Sequence, residues 1–276
     1  MTLDRAREGN ELAKRVASGL ILIAVAAATA AIGGALFVLL WVGAAIGVFW
    51  EWTGIVASGA LVVRFIGGGA LMAAGALLYV DMIGVAITAL VTGSFFAALL
   101  GPRERRIWVA AGLVYSAVLL VSPILLRRDP EFGRVAILFL FAVVWATDIC
   151  AYFIGRWIGG PKLAARISPR KTWSGAVGGI AGAVGCGLVV THFAGDAAVF
   201  PMGLVAAALS IVAQAGDLLE SGIKRSFHVK DASQIIPGHG GLMDRLDGFL
   251  AAAGVAALVG LARGGFETPG RGLLLW

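Results

Sequence analysis

Long apolar runs alternate with short polar connections along nearly the whole chain, and this pattern sets the expected elements. A bilayer core of about 30 Å needs roughly 20 apolar residues per crossing helix. Residues 16–50 include no charged side chain. That stretch is too long for one ordinary span, and Gly33-Gly34 offers a break, so helices are predicted at 16–32 and 35–51. Further spans are predicted at 65–80, 82–102, 107–126, 135–158, 172–193, 200–222 and 246–261. Strands are not expected, because the runs are too long and lack the alternation of a membrane barrel. The reading is an all-α, polytopic integral membrane protein with about nine transmembrane helices. Gly175, Gly178, Gly179, Gly182, Gly185 and Gly187 recur at close helical spacing. Small residues let helix backbones approach closely in lipid, so these are read as packing positions.

Composition supports this class. Of 276 residues 59% are hydrophobic and 14% charged, the latter about half the share of an ordinary soluble domain. Mean hydropathy is +0.93. These values exclude a disordered chain, a disulfide scaffold and an average cytosolic enzyme. Cys150 and Cys186 both lie in apolar runs and are read as unpaired thiols. No cleavable signal peptide is expected, because the first 15 residues mix both signs and the following apolar run is too long.

The net charge of +6 would suggest a nucleic-acid partner in a soluble protein. In a membrane protein it marks cytoplasmic loops instead, and no nucleic-acid partner is expected. With the N-terminus inside, the basic connections 103–106, 156–171 and 224–245 all fall in the cytoplasm. The connection with Arg127, Arg128 and Arg134 falls outside and disagrees, softened by Asp129 and Glu131. Residues 1–134 are read as packing helices, with lipid access or dimer contacts. Residues 135–276 are read as the catalytic part. No separate soluble domain is expected, so any site must be built from helix ends and loops.

Ionisable residues within membrane segments are costly and mark candidate sites. Asp148, Tyr152 and Arg156 share one helix face, which suits either a functional acid or an Asp–Arg anchor. In Ser168-Pro169-Arg170-Lys171-Thr172-Trp173-Ser174-Gly175, Ser168 can cap a helix and Pro169 can fill its first turn. Arg170 and Lys171 would then stand at the positive helix end, where an anion binds. A plain positive loop fits these residues as well.

The longest polar segment is richer. Asp217, Ser221 and Lys224 share a helix face with Glu220 adjacent, and Asp244 and Asp247 share a face of the next span. If the intervening loop folds back, Asp217 and Asp244 come close. Two carboxylates with nearby hydroxyl oxygens suit Mg²⁺, which prefers oxygen ligands and commonly binds through substrate phosphates. The glycines around His239 (Gly238, Gly240 and Gly241) let backbone N–H groups approach an anion. Lys224, Arg225, Lys230 and Arg245 can neutralise further phosphate charge. With only His228 near His239, a zinc site is not expected. Neither a serine-hydrolase elbow nor a Gly-Lys-Ser/Thr phosphate loop occurs.

This segment resembles the signature of the phosphatidate cytidylyltransferase (CDP-diacylglycerol synthase) family. The matching residues are Ser221, Lys224, Arg225, Lys230, Asp231, Pro237-Gly238-His239-Gly240-Gly241, Asp244, Arg245 and Asp247, about 27 positions in all. Upstream, Gly216-Asp217-Leu218 with Glu220-Ser221, the Ser168 to Thr172 box and the Asp148 to Tyr152 box look like further family elements. The N-terminal half matches in hydropathy and in Trp50-Glu51-Trp52. Ser174 stands where the family often has Glu.

The resemblance implies a nucleotidyltransferase that condenses CTP with phosphatidic acid to give CDP-diacylglycerol and pyrophosphate. It implies Mg²⁺, with K⁺ as a second cation. Asp217 and Asp244 match the metal-binding acids, with Ser221 and Asp247 beside them and Lys224 in the catalytic set. Arg225, Lys230, His239, Gly240, Gly241, Arg245, Ser168, Arg170, Lys171 and Asp148 would contact substrates. A homodimer in a bacterial inner membrane, with its site facing the cytoplasm, is the implied setting. From the residues alone two other readings stay open. One is a CTP-dependent polyprenol or dolichol kinase-like phosphotransferase. The other is an ion-coupled transporter using Asp148, Asp217 and Asp244, against which the acids cluster at helix ends and not at the midplane.

Overall fold

A computed structural model describes residues 19–193, 195, 199–233 and 240–276. Helices dominate it: α1 (Gly19–Ile32), α2 (Gly34–Val56), α3 (Leu61–Tyr79), α4 (Ile83–Leu100), α5 (Arg106–Arg127), α6 (Gly133–Ile158), α7 (Trp173–Phe193), α8 (Val199–Ser226), α9 (Met243–Gly264) and the short α10 (Pro269–Leu274). Eight of them are long and apolar enough to cross a membrane, counting the 3₁₀ turn before α5, and α1 is a shorter apolar helix among the described residues. Each of the nine predicted spans coincides with a helix to within a few residues at its described ends, with residues 16–18 of the first outside the described set. This is an integral membrane protein of the predicted all-α class. The break at Gly33-Gly34 is real: both glycines take positive φ, 73° and 60°, a region open to glycine at no steric cost.

One expectation fails. Between α6 and α7 the chain forms an antiparallel hairpin of β1 (Lys162–Ala164) and β2 (Ser168–Thr172), with Lys162 opposite Thr172 and Ala164 opposite Ser168. Ser168 therefore caps no helix and Pro169 fills no helical turn. A residue before proline is pushed to extended backbone, which favours the strand at Ser168. The cap comes four residues later, where Thr172 Oγ1 accepts the Gly175 N–H at 3.1 Å, a hydroxyl satisfying one orphan amide of α7.

The chain divides into two compact units, 1–113 with 229–245, and 114–228 with 246–276. In the first unit α3 packs against α2 and α4. Trp52 is buried there and donates its indole N–H to the Trp108 carbonyl at 2.8 Å. The second unit is organised by α6 against α7, with α8 on α7. Its seam is lined by the predicted glycines. A Cβ on Gly179 would stand 2.9 Å from the Thr147 carbonyl, on Gly182 2.3 Å from Cys150 Sγ, and on Gly175 2.7 Å from the Ala151 carbonyl. Gly178 and Gly187 meet Ile154 and Phe139 as closely, whereas Gly185 faces open space. Backbone contact of this kind replaces the hydrophobic drive that lipid cannot supply. It also fixes where the ends of α6 and α7, and the hairpin between them, lie.

Candidate active site

In the second unit the polar residues meet where α8 ends. β2 carries Ser168, Arg170 and Lys171, and Lys171 Nζ forms an ion pair with Asp217 Oδ2 on α8. The hairpin, unforeseen from the pattern, thus delivers a cation to the acid. Ser221, one turn on, donates its hydroxyl to Asp217 Oδ1 at 3.4 Å. Asp247 on α9 lies close enough to Asp217 and Glu220 for their charges to interact. That approach is made possible by Gly216, where an added Cβ would stand 2.5 Å from Ala251 Cβ and 3.0 Å from the Asp247 carbonyl. Lys224 pairs with Glu220 at 2.9 Å, and both side chains are largely buried, 10% and 1% exposed. Removing one partner of such a pair leaves a charge uncompensated, typically at 3–5 kcal/mol. Arg225 is exposed just beyond. Asp148 is exposed on α6, and Arg156 reaches the Tyr152 hydroxyl at 3.4 Å. Ser174, on α7, donates to the Gly159 carbonyl and lies 3.1 Å from Thr172 Oγ1.

In the first unit a second constellation surrounds the start of α9. Asp244 Oδ2 accepts the N–H groups of Gly241 (2.9 Å) and Ala232 (3.0 Å). Glu51, on α2 and only 2% exposed, accepts the N–H groups of Leu242 (2.9 Å) and Met243 (2.7 Å) and the Ser233 hydroxyl. These are orphan amides of a helix start, satisfied by a carboxylate about 190 residues away in sequence. Gly241 sits between the two acids: a Cβ there would stand 2.8 Å from Glu51 Oε2 and 3.0 Å from Asp244 Oδ2. Gly240 beside it takes φ 85°. The Gly241 amide, read from the sequence as an anion contact, is directed to the Asp244 carboxylate. Lys230, Asp231 and Arg245 are exposed. His239, with Pro237 and Gly238, lies outside the described residues.

The structure therefore joins Lys171, Asp217, Ser221 and Asp247 in one unit, and Gly241 and Asp244 in the other. Two participants escaped the sequence reading, Glu51 as an anchor and Thr172 as a cap. Glu51 did leave a signal, as the first charge after a long uncharged run.

The chemistry of the donors around Asp217 is compatible with Mg²⁺. They are carboxylate and hydroxyl oxygens, the hard ligands this ion prefers. Among the described residues no group of three or more His, Cys, Asp or Glu side chains is placed to hold a metal ion by itself. A magnesium ion bound by one or two carboxylates, completed by substrate phosphates, needs no such group.

A polytopic helical membrane protein with acids and bases gathered at the ends of its spans is the class that this architecture defines. The cytidylyltransferase family profile matches residues 13–262. The phosphatidate cytidylyltransferase of Brucella suis is 42% identical over 254 residues, covering 91% of this chain and 94% of that protein. The phosphatidate cytidylyltransferase of Haemophilus influenzae is 42% identical over 130 residues (45% of each chain), and that of Staphylococcus saprophyticus 47% identical over 115 residues (41% of this chain and 44% of that one). The chain belongs to the cytidylyltransferase family.

Proposed function

We propose that the protein transfers CMP from CTP to phosphatidic acid, giving CDP-diacylglycerol and pyrophosphate in phospholipid synthesis. The observation that carries this reading is the Lys171–Asp217 pair, which ties the Ser168 to Thr172 strand to the acidic face of α8. It places a cation, a carboxylate and a hydroxyl at one point, as phosphoryl chemistry requires. A phosphate oxygen of phosphatidic acid attacks the α-phosphorus of CTP. The bond from that phosphorus to the α,β-bridging oxygen breaks, and pyrophosphate carries away the electron pair. Such transfers depend on positioning and charge neutralisation more than on covalent catalysis.

Asp217, with Ser221 and Asp247 beside it, is the proposed metal set, and the resemblance is the support for Asp244 as a further metal-binding acid. Mg²⁺ bound there would neutralise and align the phosphates. Lys171 would exchange Asp217 for a phosphate oxygen, and Arg170, Arg225, Lys230, His239 and Arg245 would add phosphate contacts. Lys224, held by Glu220, stiffens the end of α8. Lipid enters sideways from the bilayer, and CTP enters from the aqueous side. Bacterial relatives and the basic loops 103–106, 156–171 and 224–245 support an inner-membrane setting with these loops in the cytoplasm. The resemblance is the support for K⁺ as a second cation and for a homodimer.

Purified protein given CTP, phosphatidic acid and Mg²⁺ should release pyrophosphate and move an α-phosphate label from CTP into lipid, and EDTA should stop both. Transfer of the γ-label would instead establish the kinase-like reading.

A further inference from the structure

We propose that the end of the second unit remote from Asp217 holds a binding site for the phosphate headgroup of an anionic phospholipid, built by Arg263 and Arg271. This goes beyond the reaction proposed above and uses none of its residues.

The helices of this unit have two distinct ends. α6 runs from Gly133 to Ile158 before the hairpin that carries Lys171, a length of about 39 Å at 1.5 Å per residue. α9 runs back from the Asp247 end to Arg263 and Gly264. There the chain turns into α10 and borders an open cavity of about 510 Å³ lined by Arg263, Gly264, Thr268, Arg271, Gly272 and Leu275. The turn is tight, since a Cβ on Gly272 would stand 2.3 Å from the Gly260 carbonyl and 2.4 Å from the Gly264 nitrogen.

Both cationic side chains of the cavity are set for a ligand. Arg263 donates one N–H to the Gly272 carbonyl at 2.6 Å and lies 3.7 Å over the ring of Trp276. Those contacts orient the guanidinium and leave further donors of its five available. The Arg271 guanidinium makes no hydrogen bond or ion pair among the described residues. Its backbone N–H, by contrast, is fixed by Asp129 Oδ2 at 2.8 Å. Asp129 is 1% exposed, and it also accepts the N–H groups of Glu131 and Phe132. It therefore locks the α5–α6 turn onto α10, where a Cβ on Gly270 would stand 3.0 Å from the Gly133 nitrogen. That brings Arg127, Arg128 and Arg134 to the same end. Their position contradicts the charge rule that organises the other loops, and a bound anion supplies a reason for it.

Two features favour a lipid headgroup over a free anion. The cavity opens at the ends of membrane-spanning helices, where basic pockets take lipid headgroups. Exposed apolar side chains flank its residues in sequence: Phe266 and Trp276 are 54% and 51% exposed, and Trp276 stacks on Arg263, a surface suited to acyl chains and to an interfacial indole. The planar fork of arginine matches a phosphodiester through paired N–H donors.

The test uses full-length protein in nanodiscs of phosphatidylcholine alone, or mixed with phosphatidylglycerol, a phosphodiester that is not the proposed substrate. Phosphatidylglycerol should raise the unfolding midpoint by about 2–4 °C, and native mass spectrometry should detect it retained on the released protein. R271Q should weaken that retention about tenfold or more and abolish the shift, with pyrophosphate release from CTP and added phosphatidic acid unchanged. R263Q should do the same but also lower the midpoint in phosphatidylcholine, because it loses the Gly272 and Trp276 contacts. Wild-type retention and shift in R271Q would overturn the site. Inorganic phosphate reproducing the shift, without any retained lipid, would overturn the headgroup assignment.

Discussion

Glu51→Gln isolates the contribution of a buried carboxylate that touches none of the proposed substrates. Glu51 accepts two backbone N–H groups at the start of α9 and one hydroxyl. The glutamine keeps the shape but turns an NH₂ toward donors and removes the charge that strengthens all three bonds. Hydrogen bonds to a charged group contribute about 1.5–3 kcal/mol each, and a stranded buried donor costs about 1–3 kcal/mol. Losing one good acceptor position should therefore weaken the local clamp by roughly 2–3 kcal/mol, a factor of roughly 30 to 150 in its opening equilibrium. The assay is amide hydrogen exchange, by mass spectrometry, of purified protein in detergent. Leu242 and Met243 should exchange faster by that factor, while the amides of α6 and α7 are unaffected. Turnover should fall too, because Asp244 and Arg245 immediately follow the released residues. Glu51→Ala should cost more, since both amides lose their partner. Unchanged exchange at Leu242 and Met243 in Glu51→Gln would refute the clamp.

Asp217→Asn should abolish pyrophosphate release while the protein still inserts and elutes as the wild type does; near-normal activity would remove Asp217 from the metal set. Gly216→Val places a side chain against Ala251 and the Asp247 carbonyl and should destabilise by about 1–3 kcal/mol, read as a lower unfolding midpoint. An unaltered midpoint would mean that α8 and α9 are not in backbone contact there. Thr172→Ala removes the α7 cap and should cost about 1 kcal/mol, whereas Ser168→Ala should cost nothing comparable; equal effects would restore Ser168 as the cap.

The spans were legible because the bilayer imposes one length and one polarity on every crossing, and backbone groups within it can be satisfied only by helix. The glycine seam was legible for the same reason, down to five of its six positions. The polar face of α8 was legible from helical spacing, which correctly joined Asp217 and Ser221. Spacing also placed Lys224 on that face with Glu220 adjacent, and the two pair as (i, i+4) partners of opposite charge. The hairpin was hidden because its strands have three and five residues, too short for any period to emerge. Glu51 was hidden differently. No local pattern assigns a lone acid at the end of an apolar helix to amides so far along the chain.

That separation has a consequence for biogenesis. A ribosome adding 5–20 residues per second makes Glu51 roughly 10–40 s before Met243 exists. Throughout that interval α2 is in or near the membrane with its acid unmatched, and water or another solvating group must hold it at the bilayer boundary. The start of α9 thus docks onto a fixture already waiting in the nascent protein, so completion of this unit belongs to the closing moments of synthesis.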